Sequence, residues 1–71
     1  MIKNSVYIPY FQKDITVTAK DAAELEEYAE LAEERRDLIL DRDCEEWHKW
    51  DGLAQAYLET LDGLRRYEDA I

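Results

Sequence analysis

The spacing of hydrophobic residues changes at Asp21, and this change restricts the folds open to the chain more than any other feature of the sequence. Residues 6–11 and 15–19 form two short segments rich in β-branched and aromatic side chains. From residue 22 onward, apolar side chains recur every three or four positions. Short β-rich segments favour a β-hairpin, whereas a three-to-four spacing favours amphipathic helices. The sequence therefore predicts an α+β fold of ββαα type, in which a two-stranded antiparallel hairpin at about residues 5–19 packs on two helices.

The first predicted strand contains a proline, which limits where that strand can lie. Pro9 has no backbone N–H, so the strand must lie at a sheet edge or contain a bulge. The polar stretch at residues 12–14 is predicted to form the turn. We expect Tyr10 to point away from the helices, where a partner can reach it. Four side chains are expected to line the sheet face against the helices: Tyr7, Phe11, Ile15 and Val17.

Two capping patterns indicate where the helices begin. Asp21 is followed three residues later by Glu24, an arrangement in which both side chains satisfy backbone N–H groups of the first turn. The same pattern recurs at Asp43. We therefore predict one helix over about residues 21–40 and a second over about residues 44–69, with a single bent helix as the alternative. The apolar face of the first helix comprises Ala22, Leu25, Ala29, Ala32 and Ile39, widened by Tyr28, Leu31 and Leu38.

The second predicted helix carries a broader apolar stripe, wide enough to pack on both the first helix and the hairpin. Gly52 interrupts this stripe and is expected to weaken the helix by about 1 kcal/mol relative to Ala. Gly63 is either a helix C-cap or a second weak point. Trp47 and Trp50 share a face, and they are either core anchors or, where exposed, interface residues. The whole stripe comprises Trp47, Trp50, Ala54, Tyr57, Leu58, Leu61 and Leu64.

The charge of the chain excludes several classes of partner. Its 71 residues carry a net charge of -9, and because residues 1–20 are net +2 the remainder carries -11. A protein that binds nucleic acid or an anionic membrane directly needs basic residues, so neither partner is expected.

The single cysteine, Cys44, excludes an internal disulfide and favours a reducing compartment. With no apolar signal segment near its start, the chain is expected to be cytoplasmic.

The densest charge in the sequence is a run of acids on the first predicted helix. Their three-to-four spacing places many of them along one side of that helix. Such a row is an array of negative charge on the scale of a phosphate backbone, which proteins that mimic DNA use to occupy a basic groove. The alternative is a solvated helix face that keeps a small protein soluble. The predicted partner-binding residues are Glu26, Glu30, Glu33, Glu34, Asp37 and Asp41, extended by Glu45 and Glu46.

One cluster invites a chemical interpretation, because Cys44 and His48 are one helical turn apart. With Asp41 they offer three mixed metal ligands, which is fewer than the four that a structural zinc site uses. The same cysteine and histidine could form a nucleophilic pair, but no Gly-rich turn or oxyanion-hole loop accompanies them. We therefore expect no catalytic residue, no metal and no cofactor, and we predict that the chain is not an enzyme.

The function predicted from these features is that of a small acidic inhibitor of a larger nucleic-acid-binding protein or complex. In length, acidity and absence of cofactor motifs, the chain is similar in character to the anti-restriction and anti-CRISPR proteins of phages and mobile elements, which act in the host cytoplasm. Those inhibitors share no sequence signature, so no residue role is carried over from them. The alternative is a structural or adaptor protein that forms a homodimer, or pairs with a partner helix, through its apolar face.

Overall fold

Two antiparallel strands followed by two helices make up the fold, which confirms the predicted ββαα arrangement. The computed structural model describes the backbone of residues 1–69 and the side chains of residues 1–66. The strands pair in one sheet, with Ile2 opposite Ala19 and Ile8 opposite Lys13. The elements are β1 (Ile2–Ile8), β2 (Lys13–Ala19), α1 (Ala22–Asp37) and α2 (Glu45–Asp69).

The hairpin turn is formed by residues 9–12, so the predicted turn at residues 12–14 is wrong. The carbonyl of Ile8 accepts hydrogen bonds from the N–H groups of Phe11, at 3.1 Å, and Gln12, at 3.0 Å. Gln12 has a positive φ of 54°, which reverses the chain direction into β2. Pro9 follows β1 directly, where its fixed φ suits a turn and its missing N–H costs no ladder hydrogen bond. The first strand therefore ends before the proline, and it begins at Ile2 rather than near residue 5.

The sheet turns a different set of side chains toward the helices than the sequence predicts. Val6 and Ile8 are buried, whereas Tyr7 lies between them on the outer face and is 56% exposed. The prediction for Tyr7 is wrong because it treated residues 6–11 as one continuous strand, which placed Tyr7 and Phe11 on the same side. On β2, Val17 is buried and Ile15 packs beside it, as predicted. Phe11 also packs against this cluster, but it does so from the turn.

The first helix begins as predicted and ends earlier than predicted. Oδ1 of Asp21 accepts a hydrogen bond from the N–H of Glu24 at 2.9 Å, which confirms the N-cap. The Glu24 carboxylate accepts from the N–H of Lys20 at 3.3 Å. At the other end, the N–H of Leu38 donates to Glu34, and the last helical residue is Asp37 rather than a residue near 40.

A loop over residues 38–44 separates α1 from α2, so the chain has two helices rather than one bent helix. The cap of α2 is Cys44, whose Sγ accepts from the N–H of Trp47 at 3.4 Å. The prediction that Asp43 caps α2 is wrong. Instead its own N–H donates to Oδ1 of Asp41 at 2.9 Å, within the loop. Because α2 continues to Asp69, Gly63 lies inside the helix and is not its C-cap.

The second helix is the central element, because it packs on the hairpin with one side and on α1 with another. Small residues allow the close approach of the hairpin, and a methyl group at Gly52 would lie only 3.3 Å from Cγ2 of Ile8. Gly52 therefore lets the hairpin pack closely on α2, although glycine lowers the helix propensity at this position. Thr60 is buried, donates to the carbonyl of Ala56 at 2.8 Å and accepts from Nδ2 of Asn4 at 3.0 Å.

Most of the buried apolar residues form two clusters that lie along α2. One contains Val6, Ile8, Val17 and Ala56, and the other contains Ala19, Leu25 and Leu61. Tyr57 packs against both clusters and so joins the hairpin end of the core to the α1 end. Within residues 1–69, neither helix is both long and apolar enough to cross a membrane.

Candidate protein-binding face

Four of the predicted acids form a row along α1. A helix advances about 100° per residue, so Glu26, Glu30, Glu33 and Asp37 fall within about 60° of arc. Glu26, Glu30 and Asp37 are exposed, and Glu33 is half-buried. The buried side of the same helix, marked by Ala29, lies roughly a quarter turn away. The row therefore runs along the flank of α1, beside the seam with α2.

The other four predicted acids lie at the edge of this row or outside it. Glu34 is exposed on α1 at the outer edge of the row, about 40° around the helix from Glu30 and about 80° from Glu26. Asp41 follows the end of α1 and belongs to the loop. Glu45 and Glu46 are in the first turn of α2, where they line a groove beside the hairpin instead of extending the row.

Acids of α2 extend the row across the seam between the helices. Two ion pairs cross this seam on the flank that carries the row. Arg36 Nη1 lies 2.9 Å from Oδ1 of Asp51, and Arg65 Nη2 lies 3.9 Å from Oε2 of Glu26. An open groove of about 400 Å³ lies along the seam, and Asp51, Glu59 and Asp62 line it. We call the combined surface the acidic face: Glu26, Glu30, Glu33, Asp37, Asp51, Glu59 and Asp62.

Sequence reasoning missed the α2 acids because they do not form a dense run. Their spacing of eight and three residues fits one side of a helix, but only the packing of α2 against α1 shows which side joins the row. The lining of the seam groove includes Arg36 from α1 and Leu58 from α2. Leu58 is 44% exposed, so the acidic face also offers one apolar contact at its centre.

The arginines on the acidic face are engaged by its own acids. Arg36 donates from Nε to Asp37 at 3.2 Å and from Nη1 to Asp51 at 2.9 Å. The hydrogen bond that Arg36 donates to the Asp51 carboxylate raises the pKa of the Arg36 guanidinium above its ordinary value, so this arginine stays charged. Arg66 pairs with Asp62 at 2.8 Å. Among the side chains of residues 1–66, Glu30, Glu33 and Glu59 have no ion-pair partner within 4.0 Å, so no cation neutralises their charge there. Glu59 accepts a hydrogen bond from Nε2 of Gln55 at 3.3 Å.

The side chains proposed from sequence as a metal or nucleophile cluster are each engaged separately. Cys44 caps α2 through its sulfur, and Asp41 is bound to the loop backbone. The His48 ring stacks on the ring of Tyr10, with centroids 3.9 Å apart and planes 12° apart. Tyr10 therefore contacts α2 and does not stand apart from the helices. In the described part of the chain, no group of three or more His, Cys, Asp or Glu side chains is arranged to hold a metal ion.

Trp47 and Trp50 are both half-buried, so they are neither fully buried core anchors nor fully exposed interface residues. The guanidinium of Arg36 lies 5.8 Å from the Trp47 ring centroid, and Trp47 meets His48 edge to face. Trp47 thus links the Tyr10 contact of the hairpin to the ion pairs of the acidic face.

Comparisons with protein-family models, curated proteins and solved structures find no match to this chain.

Proposed function

We propose that the chain is a small non-enzymatic inhibitor that binds the basic nucleic-acid-binding surface of a larger protein or complex with its acidic face. The observation that carries this proposal is the continuity of the acids across two packed helices, with Glu30, Glu33 and Glu59 in no ion pair among the described side chains. Lys and Arg side chains that normally contact phosphates would contact these carboxylates instead. The inhibitor would exclude nucleic acid by occupying its site.

The dimensions of the acidic face fit part of a nucleic-acid groove. From Glu26 to Asp37 the row spans about 16 Å at a rise of 1.5 Å per residue. That length equals about five base-pair steps of 3.4 Å. The second line of acids, on α2, lies across a helix-to-helix distance of about 8–10 Å. Two lines of charge on this scale suit the blocking of one cluster of basic side chains better than the imitation of a long duplex.

Rigidity and net charge favour the same function. Buried Leu25 and Leu61 pack α1 on α2, and the ion pair between Arg36 and Asp51 also joins the helices, so the acids are held in place before a partner arrives. A surface that is ordered in advance loses less conformational entropy on binding. The net charge of -9 also attracts a basic protein over a distance, which speeds association and makes it sensitive to salt.

The competing function, self-association or pairing with a partner helix through the apolar helix face, has less support from the packing. Much of that face is used inside the molecule, where Leu25, Ala29 and Ala32 of α1 and Ala54 and Leu61 of α2 are buried.

An acidic decoy of this kind belongs to the anti-restriction or anti-CRISPR class of phage and mobile-element proteins, and it would act in the host cytoplasm.

The experiment that tests the proposal is capture from a bacterial lysate with matched charge variants. The immobilised chain is compared with E30K/E59K, which reverses one unpaired acid on each helix, and with D14K/E27K, which makes the same charge change on the hairpin and on the outward side of α1. Retained proteins are identified by mass at about 50 mM and about 300 mM salt.

We expect the wild type and D14K/E27K to retain the same nucleic-acid-binding protein at low salt, and E30K/E59K to lose it. Higher salt should weaken the retention, since it screens exposed charges. Equal retention by both charge variants would show that the acidic face is not the binding surface. Retention of no nucleic-acid-binding protein by the wild type would reject the proposed partner class.

A further inference from the structure

A second groove lies between the turn end of the hairpin and the first turns of α2. Phe11, Ile15 and Leu53 line it, and these half-buried side chains pack against the hairpin cluster of the core. Its volume is about 660 Å³, within the range of protein binding sites. Leu53 lies about half a turn around α2 from Asp51, so this hairpin groove opens away from the acidic face.

The charged side chains that line the hairpin groove are balanced, unlike the rest of the surface. Lys13 and Lys49 face it together with Glu45 and Glu46, which gives zero net charge in a chain of net charge -9. Among the side chains of residues 1–66, none of these four has an ion-pair partner within 4.0 Å. Lys13 instead lies over the Phe11 ring, with Nζ 5.8 Å from the centroid. The lysines are therefore open to acids from outside the molecule.

The loop between α1 and α2 has the complementary character. Leu40 is 97% exposed and Leu38 is 73% exposed, although both are large apolar side chains. Asp41 and Asp43 follow Leu40 closely, and the hydrogen bond from the Asp43 N–H to Oδ1 of Asp41 holds them in one turn. A protruding leucine beside two acids and Arg42 matches an apolar groove lined by two lysines and two glutamates, because each loop acid has a lysine to face and Arg42 has a glutamate.

We propose that the chain forms a symmetric dimer in which this loop of each copy inserts Leu40 into the hairpin groove of the other. Asp41 and Asp43 would then face Lys13 and Lys49 of the second copy. The loop ends at Cys44 and the groove begins at Glu45, so the inserted and receiving parts adjoin in each copy. That proximity allows a twofold axis near the start of α2 to make both insertions at once.

The dimer is independent of the proposed inhibition, because it uses a different side of α2. It leaves open the acids of the acidic face other than Asp37, which lines a cavity together with Leu40. It also brings the two negatively charged copies together at their neutral grooves. Charge repulsion between copies is lowest for such a contact.

Sedimentation velocity over a wide range of protein concentrations tests the apolar part of the contact. The wild type should shift from monomer to dimer as concentration rises. L40S removes a side chain that is almost fully exposed, so the monomer should fold normally by circular dichroism. L40S removes the buried leucine from both insertions, so dimerisation should weaken by about a hundredfold or more. L58S, which changes an exposed leucine on the acidic face, is the matched control and should dimerise like the wild type.

A charge exchange tests which surfaces meet. K13E/K49E and D41K/D43K should each remain monomeric, since both place like charges opposite each other. Mixed together, the two variants should form a heterodimer, because each of its two contacts pairs acids with lysines. In one contact the loop keeps its aspartates and the groove its lysines, and in the other contact both charges are exchanged. A wild type that stays monomeric at every concentration would overturn the proposal. A dimer that survives L40S and both charge variants unchanged would overturn it too.

Discussion

Two glycines of α2 occur in the same local sequence, Asp-Gly-Leu, but have opposite surroundings. A methyl group at Gly52 would meet Cγ2 of Ile8 at 3.3 Å and Cε2 of Phe11 at 3.4 Å, whereas one at Gly63 would meet nothing within 4 Å. Helix propensity favours Ala at both positions by about 1 kcal/mol. Sequence reasoning identified both glycines as weak points, because neither spacing nor composition shows how closely the hairpin approaches Gly52.

The first prediction compares the two substitutions by urea unfolding. G63A should raise the free energy of unfolding by about 1 kcal/mol, because it gains helix propensity without a steric cost. G52A should fall short of that gain, since buried Ile8 has little room to move away from the new methyl group. Equal stabilisation by both substitutions would show that the hairpin does not contact α2 as closely as described.

A second residue, Arg36, joins the fold to the acidic face. It bridges Asp37 and Asp51 and lies over Trp47, with a side chain that is 25% exposed. R36A should lower the free energy of unfolding by about 1 kcal/mol, a value kept small because solvent screens partly exposed ion pairs. R42A is the control, because Arg42 is exposed and makes no ion pair within 4.0 Å among the described side chains. Thermal unfolding of both variants gives the comparison, and equal losses would contradict a bracing role for Arg36.

The same capping pattern precedes both helices, but it predicts the N-cap correctly for only one of them. Asp21 was predicted as a cap from the glutamate three residues later, and the structure confirms it. The same pattern at Asp43 was misleading, because the loop turns on Asp41 and leaves Cys44 at the capping position. A thiol is a weak acceptor and gives no capping signal, so the start of α2 depends on loop geometry that local sequence does not encode.

The side chain of Asp21 caps α1 and should therefore stabilise the fold. D21A removes the acceptor for the Glu24 N–H and should lower the free energy of unfolding by about 1 kcal/mol. D14A removes an exposed acid from β2 and serves as the control for the lost charge. Urea unfolding should show little change for D14A. A similar loss for both variants would mean that net charge, rather than the cap, sets the effect.

For the whole molecule, the sequence predicts the order of elements and the α1 acids of the acidic face, but not the α2 acids that complete it. The change of hydrophobic period determined the elements, and helical spacing placed Glu26, Glu30, Glu33 and Asp37 on one side of α1. The contribution of Asp51 to the same face depends on how α2 packs against α1, which is a tertiary contact. Glu45 and Glu46 were assigned to the row for the same reason, since their distance from it is not visible in the sequence.

An inhibitor of the proposed kind competes with nucleic acid, through its acidic face, for one site on the partner. The most direct measurement is the fluorescence anisotropy of a labelled duplex bound to the captured nucleic-acid-binding protein, followed as the chain is added. The wild type and D14K/E27K should lower the anisotropy to that of free duplex, and E30K/E59K should leave the duplex bound. An anisotropy that stays constant or rises when the wild type binds would mean that protein and duplex occupy separate sites, and it would contradict the account.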